Sequence, residues 1–181
     1  NKTNNKKMND LVLEITENLN KRKEEFLDLL HSGNNWQTDW TKLLKIIITE
    51  IGHKKDLCVS TSGIKEADEG EWLFDLVWSD LNLNAEKTTV KNIPLVLESE
   101  ISKISFGGFK EDFDKLFFCP DAAKVFVTRT INGDESILNE CMDYAQKAVN
   151  DNINMNAENG VYLIIWKEDK GFKLEYIFSQ N

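Results

Sequence analysis

Proline is nearly absent: the 181 residues hold two, Pro94 and Pro120. No Pro- or Ser-rich stretch interrupts the chain, which argues against a linker that would divide it into two domains. Histidine is as scarce. His31 and His53 are isolated, with no H-E-x-x-H or C-x-x-C beside them, so the sequence offers no structural zinc site. The three cysteines, Cys58, Cys119 and Cys141, are an odd number without metal-ligand spacing. Disulfide-stapled domains carry more of them, in even numbers, so free thiols in a reducing, cytoplasmic setting are expected. No apolar run approaches the ~20 residues that cross a bilayer, and no apolar segment with a small-residue cleavage site opens the chain; no membrane association is expected. Positive charge is also short. The net charge of −9 repels phosphate backbones unless cations gather on one face. The local basic clusters (Lys2, Lys6, Lys7; Lys21, Arg22, Lys23; Lys54, Lys55) never form a run of five, which argues against a general nucleic-acid binder.

What is present is enough for one well-filled core. Hydrophobic residues make up 41%, and ten Phe with five Trp supply large apolar side chains. Apolar residues at Leu11, Ile15, Leu19, Phe26, Leu29 and Leu30 have helical spacing, weakened between Lys21 and Glu25 and stopped at Ser32-Gly33. A second helix is expected from Gln37 to Ile51, capped by Thr38 or Asp39, with Trp40, Leu43, Leu44 and Ile47 in its stripe. The period then changes. Leu57–Ser60, Glu71–Asp80 and Ile93–Ile101 read as strands, with Pro94 at the start of the last. Gly107 and Gly108 precede a helix with Phe109, Phe113, Leu116 and Phe117 on one side, stopped by Pro120. Lys124–Ile131 is a buried strand closed by an Asn132-Gly133 turn. A helix over Glu135–Val149 and a hairpin of Val161–Trp166 with Phe172–Phe178 complete the chain. This order defines an α/β class: a mixed central sheet flanked by helices. Residues 1–34 form an N-terminal helical extension and 35–181 a single α/β domain ending in a helix plus β-hairpin.

Two of the strands carry acids inside apolar runs. Asp75 sits among Leu73, Phe74, Leu76 and Val77. Glu98 and Glu100 lie two apart in IPLVLESEI and share one face of the sheet. Burying a carboxylate costs several kcal/mol unless it is paired or bound to a cation. If the strands are neighbours, Asp75, Glu98 and Glu100 converge, and acids that close either raise a pKa or invite an oxygen-ligated Mg2+ or Mn2+.

The order of elements, with Asp75 in an apolar strand and Glu98-x-Glu100 ending the next, resembles the PD-(D/E)XK, restriction-endonuclease-like nuclease superfamily. Trp72 to Val127 looks like its catalytic core, and the likeness extends over residues 37–131. The resemblance implies a Mg2+-dependent phosphodiester hydrolase acting on DNA or RNA. Asp75, Glu98 and Glu100 would ligate the metal, and Glu50 on the preceding helix matches an acid that many members supply there. Glu100, however, stands where the catalytic lysine is usual. Some members supply that lysine from the following helix, and Lys110 and Lys115 are the candidates here. A nucleic-acid role also requires lysines such as Lys42, Lys45, Lys54, Lys103, Lys110 and Lys115 to gather positive potential around the acids. The alternative is a non-catalytic interaction module with a protein partner, which keeps the nuclease-like fold without activity.

Overall fold

The structure, a computed structural model, describes residues 2–83, 87–102, 105–130, 135–156, 158–168 and 170–180. Three helices come first: α1 (Lys2–Lys21), α2 (Lys23–His31) and α3 (Trp36–His53). The weak middle of the first helical pattern is a break at Arg22, whose side chain pairs with Glu25 one turn on at 2.7 Å. Asn35, in the left-handed region at φ 70°, turns the chain into α3, one residue before the expected start. Neither Thr38 nor Asp39 caps that helix.

Six strands follow: β1 (Cys58–Thr61), β2 (Leu76–Asn82), β3 (Thr89–Glu100), β4 (Ala123–Arg129), β5 (Val161–Lys167) and β6 (Gly171–Ile177). Helix α4 (Phe106–Lys115) and a 3₁₀ turn (Leu116–Phe118) join β3 to β4, and α5 (Ser136–Asp151) joins β4 to β5. The sheet order is β1-β2-β3-β4-β5-β6, with β3, β4 and β5 mutually parallel and the other pairs antiparallel. Short connections pair strands antiparallel, whereas a parallel neighbour needs a helical crossover. The expected mixed sheet flanked by helices is therefore observed.

Strand alternation divides the core in two. Leu76, Trp78, Leu95, Leu97, Val125, Val127 and Trp166 face the first three helices, sharing a core with Ile15, Leu19, Phe26, Trp40 and Leu44. Val77, Val96, Phe126, Leu163 and Ile165 face α4 and α5, against Phe109, Phe113, Leu138 and Cys141. Helices α1 and α2 are thus part of the layer that covers one face of the sheet. Near the end of α3, a Cβ on Gly52 would lie 2.8 Å from both Trp78 Nε1 and Val59 Cγ2. The missing side chain lets α3 approach the sheet, and this sets the wall of the groove described below.

Several sequence expectations shift. The first helix begins at Lys2 and not Leu11, and β3 begins at Thr89, so Pro94 lies within that strand and not at its start. Residues 71–75 are not strand: β2 begins at Leu76, so Asp75 lies at the lip of the sheet and not within it. Gly107 and Gly108 do not precede α4 but lie in its first turn. Ser105 caps the helix, its Oγ accepting from Gly108 N at 3.2 Å. The strand read as Leu57–Ser60 runs from Cys58 to Thr61. The Asn132-Gly133 turn lies outside the described residues. The thiols of Cys58, Cys119 and Cys141 are free, as expected. Among the described residues no helix is long and apolar enough to cross a membrane.

Candidate active site

Antiparallel pairing of β2 with β3 sets Leu76 opposite Leu97 and Val77 opposite Val96. There the β2–β3 ladder ends, and the N–H of Ser99, two residues past Leu97, has no partner on β2. Asp75 replaces it: its Oδ2 accepts from both Ser99 N and Ser99 Oγ at 2.8 Å. The main chain of Asp75 is held from the other side, where buried Thr61 Oγ1 donates to its carbonyl at 2.6 Å. The acid thus stands at the lip because its side chain completes the backbone bonding where β2 begins.

Glu98, on the Val96 side of β3, is 3% exposed. Its Oε1 accepts no hydrogen bond, and the Lys115 ammonium lies 3.6 Å away. That separation is ionic and exceeds a good hydrogen bond. Burial first, then the charge of Asp75, pushes the Glu98 carboxyl up to about 8, against the lowering influence of Lys115. Lys115 is anchored one helical turn from Asp112, donating to its Oδ1 at 2.7 Å. That bond, together with the charges of Glu98, Asp112 and Asp75, holds the ammonium in its charged form more firmly than usual. The body of α4 fixes this geometry. Phe109 and Phe113 are buried against Phe126, and the flank carrying Asp112 and Lys115 lies over Glu98.

The expected trio does not gather as one site. Glu100 shares the strand alternation of Glu98, but its Oε1 accepts from Ser102 N at 3.0 Å and from Ser102 Oγ. The charges that act on Glu98 are Asp75, Lys115 and Asp112, and Glu100 is not among them. Glu50 is exposed on α3, where its charge acts on Arg22 at the α1–α2 junction. Lys110 points elsewhere too: it donates to Asp114 at 2.7 Å and sits 5.2 Å from the centre of the Tyr144 ring. Of the six candidates, Asp75, Glu98 and Lys115 act on one another through their charges, while Glu100 shares with Asp75 only the lining of a groove.

Among the described residues no three His, Cys, Asp or Glu side chains form a ready-made metal cage. The donor chemistry nonetheless fits a hard divalent ion. Mg2+ commonly takes one or two carboxylates and keeps water and substrate oxygens for the rest. Glu98 offers a buried oxygen without a hydrogen bond, next to the charge of Asp75.

Beside Asp75, on the α3 side of the sheet, lies a groove of about 390 Å3, open to solvent, which Glu98 and Lys115 do not line. Thr38, Thr41, Lys42 and Lys45 of α3 form one wall, while Asp75, Ser99 and Glu100 lie along the other. Lys45 is 7% exposed, with its ammonium 3.3 Å from the Ser62 carbonyl and 3.9 Å from Glu71. Two lysines named from the sequence therefore line this groove, away from Glu98 and Lys115. Lys54 is exposed at the far end of α3, and Lys103 lies outside the described residues.

Sequence reasoning missed Asp112, Ser99 and Thr61. An Asp112-x-x-Lys115 spacing is a helical ion-pair pattern, and it was the one available signal for Asp112. Ser99 and Thr61 act through contacts made only in the folded chain. Comparison with known protein families, with curated proteins and with solved structures finds no match to this chain.

Proposed function

We propose that this chain is a divalent-metal-dependent phosphodiester hydrolase, a nuclease with a restriction-endonuclease-like core. One observation carries the reading: a buried carboxylate, Glu98, has an oxygen without a hydrogen bond, between the charge of Asp75 and the ammonium of Lys115. Leaving such a group uncompensated is costly, and sites arranged for chemistry are where such arrangements recur. Asp75 and Glu98 would hold Mg2+ or Mn2+. The bound ion would polarise a phosphoryl oxygen and generate hydroxide from water at neutral pH.

The chain's own residues then have distinct tasks. Ser99 and Thr61 orient Asp75, the first through its carboxylate and the second through its carbonyl. Asp112 steers Lys115 toward Glu98 and keeps it charged. In this reading Lys115 supplies the positive charge that stabilises the developing negative charge on the phosphoryl oxygens, the task a carboxylate at position 100 cannot perform. The migration of that task from β3 to α4 reconciles Glu100 with an active enzyme.

The test is metal-dependent cleavage of DNA and RNA by the wild type, with Asp75→Ala, Glu98→Ala and Lys115→Ala measured beside it. Loss in all three variants supports the proposal. A wild type inert with both Mg2+ and Mn2+, and thermally indifferent to them, would leave the alternative of a non-catalytic interaction module.

A further inference from the structure

Lys115 supplies the positive charge at the Glu98 carboxyl. Its ammonium lies 2.7 Å from Asp112 Oδ1 and 3.6 Å from Glu98 Oε1, and the charge of Asp75 acts on it as well. Three carboxyl groups, from the lip of β2, from β3 and from α4, thus act on one cation. Their contacts are unequal. Asp112 accepts a hydrogen bond from the ammonium, whereas Glu98 stands beyond good hydrogen-bond reach. The buried Glu98 Oε1 accepts from no donor at all. The ammonium therefore fills the place of a cation without satisfying the oxygen nearest to it.

Asp112 has more to do with Glu98 than the anchoring of a lysine explains. Its charge is among those that push the Glu98 carboxyl up, so the two groups repel unless a cation stands between them. One ammonium offsets one of three acids; a divalent ion offsets two. Carboxylate oxygens also come closer to Mg2+, ~2.0–2.1 Å, than to an ammonium, ~2.7–2.9 Å. Among the described residues no three such side chains form a ready-made cage, and the separations here are those of ammonium pairing.

Lys115 is able to leave. Its side chain is 33% exposed and that of Glu98 4%, so the lysine reaches the carboxyl from the solvent side. A flexible four-carbon stem lets the ammonium swing outward while its backbone stays on α4.

We infer that Lys115 is a tethered stand-in for a divalent ion: its ammonium yields its place between Asp112 and Glu98, Asp112 becomes a third ligand beside Asp75 and Glu98, and the freed ammonium turns toward the phosphoryl group; this deepens the hydrolase reading and rests on it. Asp112 thus holds the lysine until an ion is bound, and the ion afterwards.

The experiment reads binding, not cleavage. Calorimetric titration with Mn2+ at pH about 8.5 compares the full-length wild type with Asp112→Asn and Lys115→Met, and circular dichroism in EDTA checks the fold of each. Asp112→Asn should weaken Mn2+ binding by about tenfold or more. That substitution removes a charge that raises the Glu98 carboxyl, so protonation of Glu98 cannot produce the loss. An Asp112 that only anchors the lysine gives unchanged or tighter binding. Lys115→Met should bind Mn2+ at least as tightly as the wild type. Acylation of Lys115 in the wild type, followed by mass spectrometry, should speed up when Mn2+ is added. Asp112→Asn binding as wild type, Lys115→Met losing the ion, or acylation that is unchanged or slower with Mn2+ overturns the inference. Cleavage that needs Asp75 and Glu98, together with any of these results, leaves the hydrolase standing without it. Asp112-dependent binding with release of Lys115, and no cleavage of any nucleic acid, would sustain the inference and remove the hydrolase. A wild type that binds no ion removes both.

Discussion

Lys115, on the last turn of α4, places its ammonium 3.6 Å from Glu98 Oε1 on β3, although these residues belong to different layers of the fold. The ammonium does not neutralise the pair. Burial and the charge of Asp75 outweigh it, and the Glu98 carboxyl remains raised to about 8. A carboxyl held in this way keeps its proton near neutral pH, and the consequences can be measured.

The first concerns pH and stability. With its folded pKa raised from 4.5 to about 8, Glu98 holds a proton in the native state that the unfolded chain releases. The native state therefore binds more protons between those values, and stability falls as pH rises through that window. Glu98→Gln imitates the protonated form. It should flatten this part of the stability profile and raise stability above pH 8 by about 1–3 kcal/mol, as read by urea unfolding across the range. A steeper profile in the variant would contradict the assignment.

Metal binding should carry the opposite sign. A divalent ion needs the deprotonated carboxylate, so its affinity rises with pH toward the Glu98 pKa and binding releases a proton. Mg2+ or Mn2+ should raise Tm more at pH about 8.5 than at about 6.5. Calorimetric titration in buffers of different ionisation enthalpy would report the released proton. Glu98→Gln should abolish both effects.

The two lysines of α4 make a direct comparison. Lys115→Ala should lower metal-dependent cleavage by ~100- to 1,000-fold, the scale of losing one preorganised charge at a reacting centre. It should also move the acidic limb of the pH–rate profile upward, because Glu98 loses the charge that lowers its pKa. Lys110→Ala, which breaks a pair with Asp114 on the outer surface, should leave both the rate and the profile unchanged.

Gly52 tests the placement of α3. Alanine is the better helix former by ~1 kcal/mol, yet its Cβ would stand 2.8 Å from Trp78 and from Val59. Overpacking of that kind typically costs ~1–3 kcal/mol. Gly52→Ala should therefore lower Tm by a few degrees. A rise in Tm would show that α3 can move away without loss.

The sequence by itself determined the class of fold and its two-sided core. Helical and strand periods are local properties, and they placed most elements within one or two residues, because the side chains that must be buried recur at the period of the element. It also marked Asp75 and Glu98, since a carboxylate among Leu, Val and Phe is conspicuous without knowing its neighbours. The tertiary structure decided which of the remaining candidates join them. Glu100 shares the alternation of Glu98, but Ser102 engages it where the strand ends. Glu50 lies on the helix of the groove, but on the face toward Arg22. A helical wheel turns Lys115 away from the stripe of Phe109 and Phe113, yet the layer spacing and its flexible stem bring the ammonium to Glu98, while Lys110 turns to Asp114 and Tyr144. Period fixes which face a side chain leaves from. Where a long charged side chain ends depends on which layers pack together and on the charges waiting there.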